Sequence, residues 1–151
     1  MPTASPARDT SFLIEDEPRL RRILETARTV AVVGLSSDSG RPSNSVARTL
    51  LRYGFEVIPI NPNESEVLGI TAYPDLRSVK KPIDVVDVFR RSSQVGQHAD
   101  EAIFVGAKVL WLQKGVIDPD AARRAHAAGL EVVMDRCMAR ELSALGIAPK
   151  R

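Results

Sequence analysis

Apolar residues fall along this chain in two alternating patterns. Short, mainly apolar runs, Thr29-Val30-Ala31-Val32-Val33, Phe55-Glu56-Val57-Ile58-Pro59-Ile60, Pro82 to Phe89, Ala107 to Leu112 and Leu130 to Met134, read as strands, and the first, which is continuous, suits a strand buried on both faces. Between them, apolar positions recur three and four residues apart: Leu20, Ile23, Leu24 and Ala27; Val46, Ala47, Leu50 and Leu51; Val95, Ala99, Ala102 and Ile103. That spacing predicts helices with one buried face. A helix through Ala121, Ala122, Ala125 and Ala128 and a last one carrying Leu142 and Leu145 complete the series.

The boundaries agree. Asp16-Glu17-Pro18 and Asp118-Pro119 place a capping acid before a first-turn proline, and Gly129 follows the second of these helices. Ser43 or Asn44 is expected to cap the second helix, and Tyr53-Gly54 to end it. The stretch 64–79 is less periodic and reads as an excursion with a small extended piece near Ile70-Thr71-Ala72.

Five alternations of strand and helix predict a single α/β domain over residues 14–151. Its sheet would be doubly wound, mainly parallel and Rossmann-like. Residues 1–13, rich in Pro, Ala, Ser and Thr, are expected to form a flexible tail.

Composition narrows the function. The 151 residues are 44% hydrophobic and 26% charged, as in an ordinary globular domain. Sixteen arginines and five lysines against 19 acids leave a net charge of +2. With only 5% aromatic residues, that bias gives no reason to expect a nucleic-acid partner. One cysteine, Cys137, excludes an internal disulfide and a cysteine-built metal site, and no metal-ligand cluster is visible. No apolar run is long enough to cross a bilayer and no signal peptide is evident, so the cytoplasm is the default location.

Ligands of open parallel sheets sit beyond the carboxyl ends of the strands. The loop after the first strand, Gly34-Leu35-Ser36-Ser37-Asp38-Ser39-Gly40-Arg41-Pro42-Ser43, is the most informative candidate. A glycine, small hydroxyl residues and an arginine lead into a helix N-terminus, a combination suited to phosphate. The same residue types also make plain turns. The loop matches neither G-x-G-x-x-G nor G-x-x-x-x-G-K-[ST]. Where an NAD site wants an acid, Asn61-Pro62 ends the second strand. A phosphorylated adenine nucleotide therefore fits better than NAD. Arg90 follows the third strand and Gln113 the fourth; Arg90 could equally pair with Asp87. Trp111 suits packing, Lys114 solvent, and Cys137 either burial or the crevice. His98 and His126 fall on polar helix faces. No nucleophile–base pair emerges.

The order of Val30-Ala31-Val32-Val33-Gly34-Leu35-Ser36, Arg41-Pro42-Ser43, Val57-Ile58-Pro59-Ile60-Asn61-Pro62, Asp84 to Arg90, Val109-Leu110-Trp111-Leu112-Gln113 and Val133-Met134-Asp135-Arg136-Cys137 resembles the small single-domain bacterial CoA-binding proteins. These are similar to the N-terminal domain of the succinyl-CoA synthetase alpha subunit. The resemblance implies that coenzyme A is bound, with Gly34, Leu35, Ser36, Arg41 and Ser43 at its phosphates; Ser37 is a further candidate because its hydroxyl, like those of Ser36 and Ser43, can donate to phosphate. Asn61 and Pro62 would border the adenosine. Val88, Phe89 and Arg90 would line the pocket, and Gln113 and Gly115 would face the pantetheine arm. The synthetase's histidine lies in a further domain, so a complete ligase is not expected. The alternatives are a nicotinamide-dependent redox enzyme or sensor, and a ligase subunit completed by another chain.

Overall fold

The computed structural model describes residues 9–150. Five parallel strands, β1 (Thr29–Val33), β2 (Glu56–Ile60), β5 (Val85–Val88), β6 (Val109–Leu112) and β7 (Glu131–Val133), form one sheet in the order β2-β1-β5-β6-β7. Between β2 and β5 the chain adds a two-stranded antiparallel ribbon, β3 (Glu66–Val67) and β4 (Ile70–Thr71). Leu68 and Gly69 turn that ribbon with φ of 56° and 76°, as a two-residue hairpin of this hand requires.

Helices α1 (Glu17–Thr26), α2 (Pro42–Arg52) and α5 (Met138–Ala144) cover one face. Helices α3 (Val95–Phe104) and α4 (Pro119–Ala127) cover the other. Alternate strand residues divide between the two layers. Val30 and Val32 join the α1/α2/α5 side, while Ala31 and Val33 join the α3/α4 side. Every residue of β5 and β6 is buried, which accounts for their apolar character, broken only by Asp87 in β5. Three alanines, Ala121, Ala122 and Ala125, form the buried face of α4.

The helix starts follow the expected chemistry in two cases. Asp16 accepts a hydrogen bond from the Arg19 N–H, and Asp118 one from the Ala121 N–H. The second helix differs. It begins at Pro42 with Arg41 as its cap residue, and Ser43 and Asn44 lie inside its first turn, where both side chains bond back to Ser36. Leu51, expected on its inner face, is partly exposed.

Of the expected tail at 1–13, residues 1–8 lie outside the described residues. Phe12 stacks on His126, Leu13 joins the core, and Ile14 N–H donates to the Val132 carbonyl, covering the β7 edge.

The strand order reverses between β1 and β5. After β1 the chain adds β2 on one side; after β2 it crosses back to place β5 on the other. This switch point opens a crevice at the carboxyl ends of both strands.

Candidate functional site

Gly34 ends β1 with φ of +85°. Its N–H donates to the Ile60 carbonyl, and the Phe89 N–H donates to the Val33 carbonyl, so three strand ends are tied together. A Cβ at Gly34 would stand 2.5 Å from the Phe89 carbonyl oxygen and 3.3 Å from Arg90 Nε. Only glycine lets the end of β5 approach this closely.

The loop beyond Gly34 is held by its own polar groups. The Ser36 N–H donates to Ser43 Oγ at 3.1 Å, and Asn44 Nδ2 donates to the Ser36 carbonyl at 2.9 Å. Asn61 Nδ2 donates to the Leu35 carbonyl at 3.0 Å, and its Oδ1 accepts from the Asn63 N–H. Asp38 and Gly40 N–H groups are also satisfied within the loop. Among the described residues, the N–H groups of Leu35, Ser37 and Ser43 find no protein partner. Of the three, only Ser43 stands in the first turn of the helix and lines the crevice; its free N–H at a helix start suits an anion.

The crevice has a volume of about 930 Å³. Arg41, Arg90, Arg91, Lys114 and Arg140 line it, and no aspartate or glutamate does. Lys114 reaches Asp135 at 3.7 Å; the four arginines have no ion-pair partner among the described residues. Gln113, 7% exposed, also lines the crevice, and its buried Oε1 has no hydrogen-bond partner. An acceptor left unpaired at such depth is costly, so a ligand donor there would be favourable.

Gly34, Ser36, Arg41, Ser43, Asn61, Phe89, Arg90 and Gln113 are brought together around this hollow, as the sequence suggests. Five other candidates are not among its lining. Leu35 and Val88 bury their side chains completely, so Leu35 has only its main chain to offer. Ser37 is spent on Glu64, to which its hydroxyl donates at 3.0 Å. Gly115 gives its N–H to Asp135 Oδ1, and its neighbour Val116 lines the crevice instead. Pro62 lines a second hollow of about 570 Å³, which shares Arg90 and Gln94 with the first.

Arg91, Gln94 and Arg140 were not singled out from sequence as site residues. Arg91 follows the end of β5 closely, the one signal that points to it, whereas Gln94 lies before α3 and Arg140 inside α5. His98, expected on a polar face, has a side chain only 12% exposed, 3.5 Å from Glu101 in the second hollow. Burial, together with the nearby Arg90 charge, holds its pKa below the usual imidazole range. The alternative pairing of Arg90 with Asp87 does not form. Asp87 is fully buried between Val32 and Trp111, and neither of its oxygens has a partner. Trp111 packs in the core and donates Nε1–H to the Arg136 carbonyl at 2.8 Å.

Known proteins share this fold. A family model described as a CoA binding domain matches residues 28–143. The protein YneT of Bacillus subtilis is 38% identical over 119 residues, covering 79% of this chain and 88% of that protein. A solved structure of a protein from Pyrococcus horikoshii superposes with a TM-score of 0.85 at 37% identity, covering 87% of this chain and 92% of that one. A dinucleotide-forming acetyl-coenzyme A synthetase of Ca. Korarchaeum cryptofilum is similar at 28% identity and a TM-score of 0.66, over 77% of this chain but 27% of the synthetase.

Proposed function

The chain belongs to the family of CoA-binding domains, and on that premise we propose that it binds coenzyme A, or an acyl-CoA, in the crevice between the ends of β1 and β5. One observation carries the reading: among the described residues the lining holds five basic side chains and no acid, and the Ser43 N–H in it finds no protein partner. The diphosphate would lie against the Ser36–Ser43 loop, with Arg41 across it. Ser36 and Ser43 each accept an N–H bond on the hydroxyl oxygen, which leaves the hydroxyl protons for the ligand. Gln113 Oε1 would receive an amide N–H of the pantetheine arm. The adenosine would lie on the Asn61 side. No catalytic role is assigned to any residue.

Two further readings differ in what they require. A nicotinamide enzyme needs an acceptor for the ribose hydroxyls after β2, and Asn61 there spends both amide atoms on the chain itself. A subunit of an acyl-CoA ligase completed by another chain is favoured by the likeness to the synthetase.

Arg41 is exposed, caps nothing with its side chain and has no ion pair among the described residues. Arg41→Ala should therefore leave the fold intact. It removes a charge-assisted hydrogen bond of about 1.5–3 kcal/mol, so CoA affinity should fall at least tenfold by calorimetry. Unchanged affinity would remove the phosphates from this loop. Thermal shifts with CoA, NADP and NAD side by side separate the readings: CoA should stabilise most, and stabilisation by NAD alone would favour the redox alternative.

A further inference from the structure

The crevice runs across the strand ends. From Gly34 at β1 it passes Phe89 and Arg90 beyond β5 to Gln113 beyond β6. There the chain after β7 folds back: the Arg136 N–H donates to the Leu112 carbonyl, and the Gly115 N–H donates to Asp135. The next residue, Cys137, packs against the α1/α2/α5 layer, is partly exposed and lines the same hollow as Gln113. Two independent features mark this end for a ligand. Among the described residues, Gln113 Oε1 is buried in the lining without a partner, and Arg140, one helical turn beyond Cys137, has no ion pair.

We propose that Cys137 is a modification site, where the protein forms a mixed disulfide with coenzyme A carried in as its disulfide. The proposal rests on the reading that CoA occupies the crevice. With phosphates at the β1 loop, Cys137 lies two to three strand spacings away, about 10–14 Å. A pantetheine arm with its two amides can bridge that distance, and Gln113 stands on the way. The exchange balances without any further oxidant. Cys137 Sγ, having released its proton, attacks one sulfur of the symmetrical disulfide. The Sγ–S bond forms as the S–S bond of the ligand breaks. The second coenzyme leaves as a thiolate and takes up the proton, so one disulfide is consumed and one is made. Binding raises the effective concentration of the disulfide at Sγ, which separates this site from a merely accessible thiol.

The test is intact-mass spectrometry of the full chain with CoA disulfide, timed against glutathione disulfide at equal concentration. The chain has a single cysteine, so any reducible adduct reports Cys137. The expected result is one CoA adduct, removed by dithiothreitol. It should form at least tenfold faster than the glutathione adduct and be slowed by acetyl-CoA, which fills the crevice but has no free thiol. Equal rates with the two disulfides, no effect of acetyl-CoA, or no adduct would overturn the proposal. Calorimetry of reduced CoA on the untreated protein distinguishes two failures. Binding without preferential reaction removes only the role of Cys137. Absence of binding removes the CoA reading as well.

Discussion

Gly34→Ala should unfold the protein at markedly lower denaturant concentration and abolish ligand binding. Two costs add. A side chain at φ of +85° takes the left-handed conformation at about 1–2 kcal/mol. The new methyl also meets the Phe89 carbonyl at 2.5 Å, a backbone atom of the residue whose N–H is tied to the Val33 carbonyl, and relieving such overpacking costs about 1–3 kcal/mol. The loss expected from urea unfolding is thus about 2–5 kcal/mol. Relief by local movement would push the end of β5 and Arg90 away from the β1 loop, so the surviving folded fraction should bind CoA poorly. A variant as stable as its parent would mean that the close approach at the switch point is not what the structure depicts.

The second large effect concerns pH. Burial raises the Asp87 pKa well above the ordinary carboxylate value, and no hydrogen bond or cation offsets it. Between the unfolded value, near 4, and the raised native value, the folded chain holds a proton that the unfolded chain releases. In that window stability falls as pH rises, by up to about 1.4 kcal/mol per unit from this one group. Asp87→Asn has no proton to lose. Its stability relative to the parent should therefore improve steadily from about pH 4 upward, whatever constant cost the amide brings. Urea unfolding of both proteins at several pH values reads the difference. Parallel stability–pH curves would mean that Asp87 is charged in the native protein, with a partner or water not seen here.

These two positions also mark what sequence reading can reach. Gly34 is visible because a glycine closing a β-branched run before a Ser-rich, arginine-bearing loop is a local signal. The parallel sheet follows from the same kind of local evidence, since runs such as Val85–Val88 suit only strands covered on both faces. Asp87 interrupts such a run, and nothing nearby in the chain reveals that it lacks a partner; that depends on Val32 and Trp111 in neighbouring strands. Of the ribbon, the extended piece expected near Ile70-Thr71-Ala72 is β4, while its partner β3 escapes because a two-residue strand carries no period. Ser37 looked like a phosphate ligand by composition, but its hydroxyl is claimed by Glu64, 27 residues away. Asn61 was read by the acid it replaces, and its larger part in the structure is to clamp the loop through the Leu35 carbonyl. Arg91, Gln94 and Arg140 join the crevice through the path of the chain after β5 and β7, a tertiary property. His98 is buried because the 74–77 segment packs beside α3, another contact between distant parts of the chain.

The most direct test follows backbone amide resonances of labelled protein during titration with coenzyme A. The account predicts the largest shifts at Ser36, Arg41 and the unpartnered Ser43 N–H in the loop, with further shifts at Arg90 and Gln113. Saturable shifts confined to the opposite ends of the strands, or no shifts at all, would contradict it.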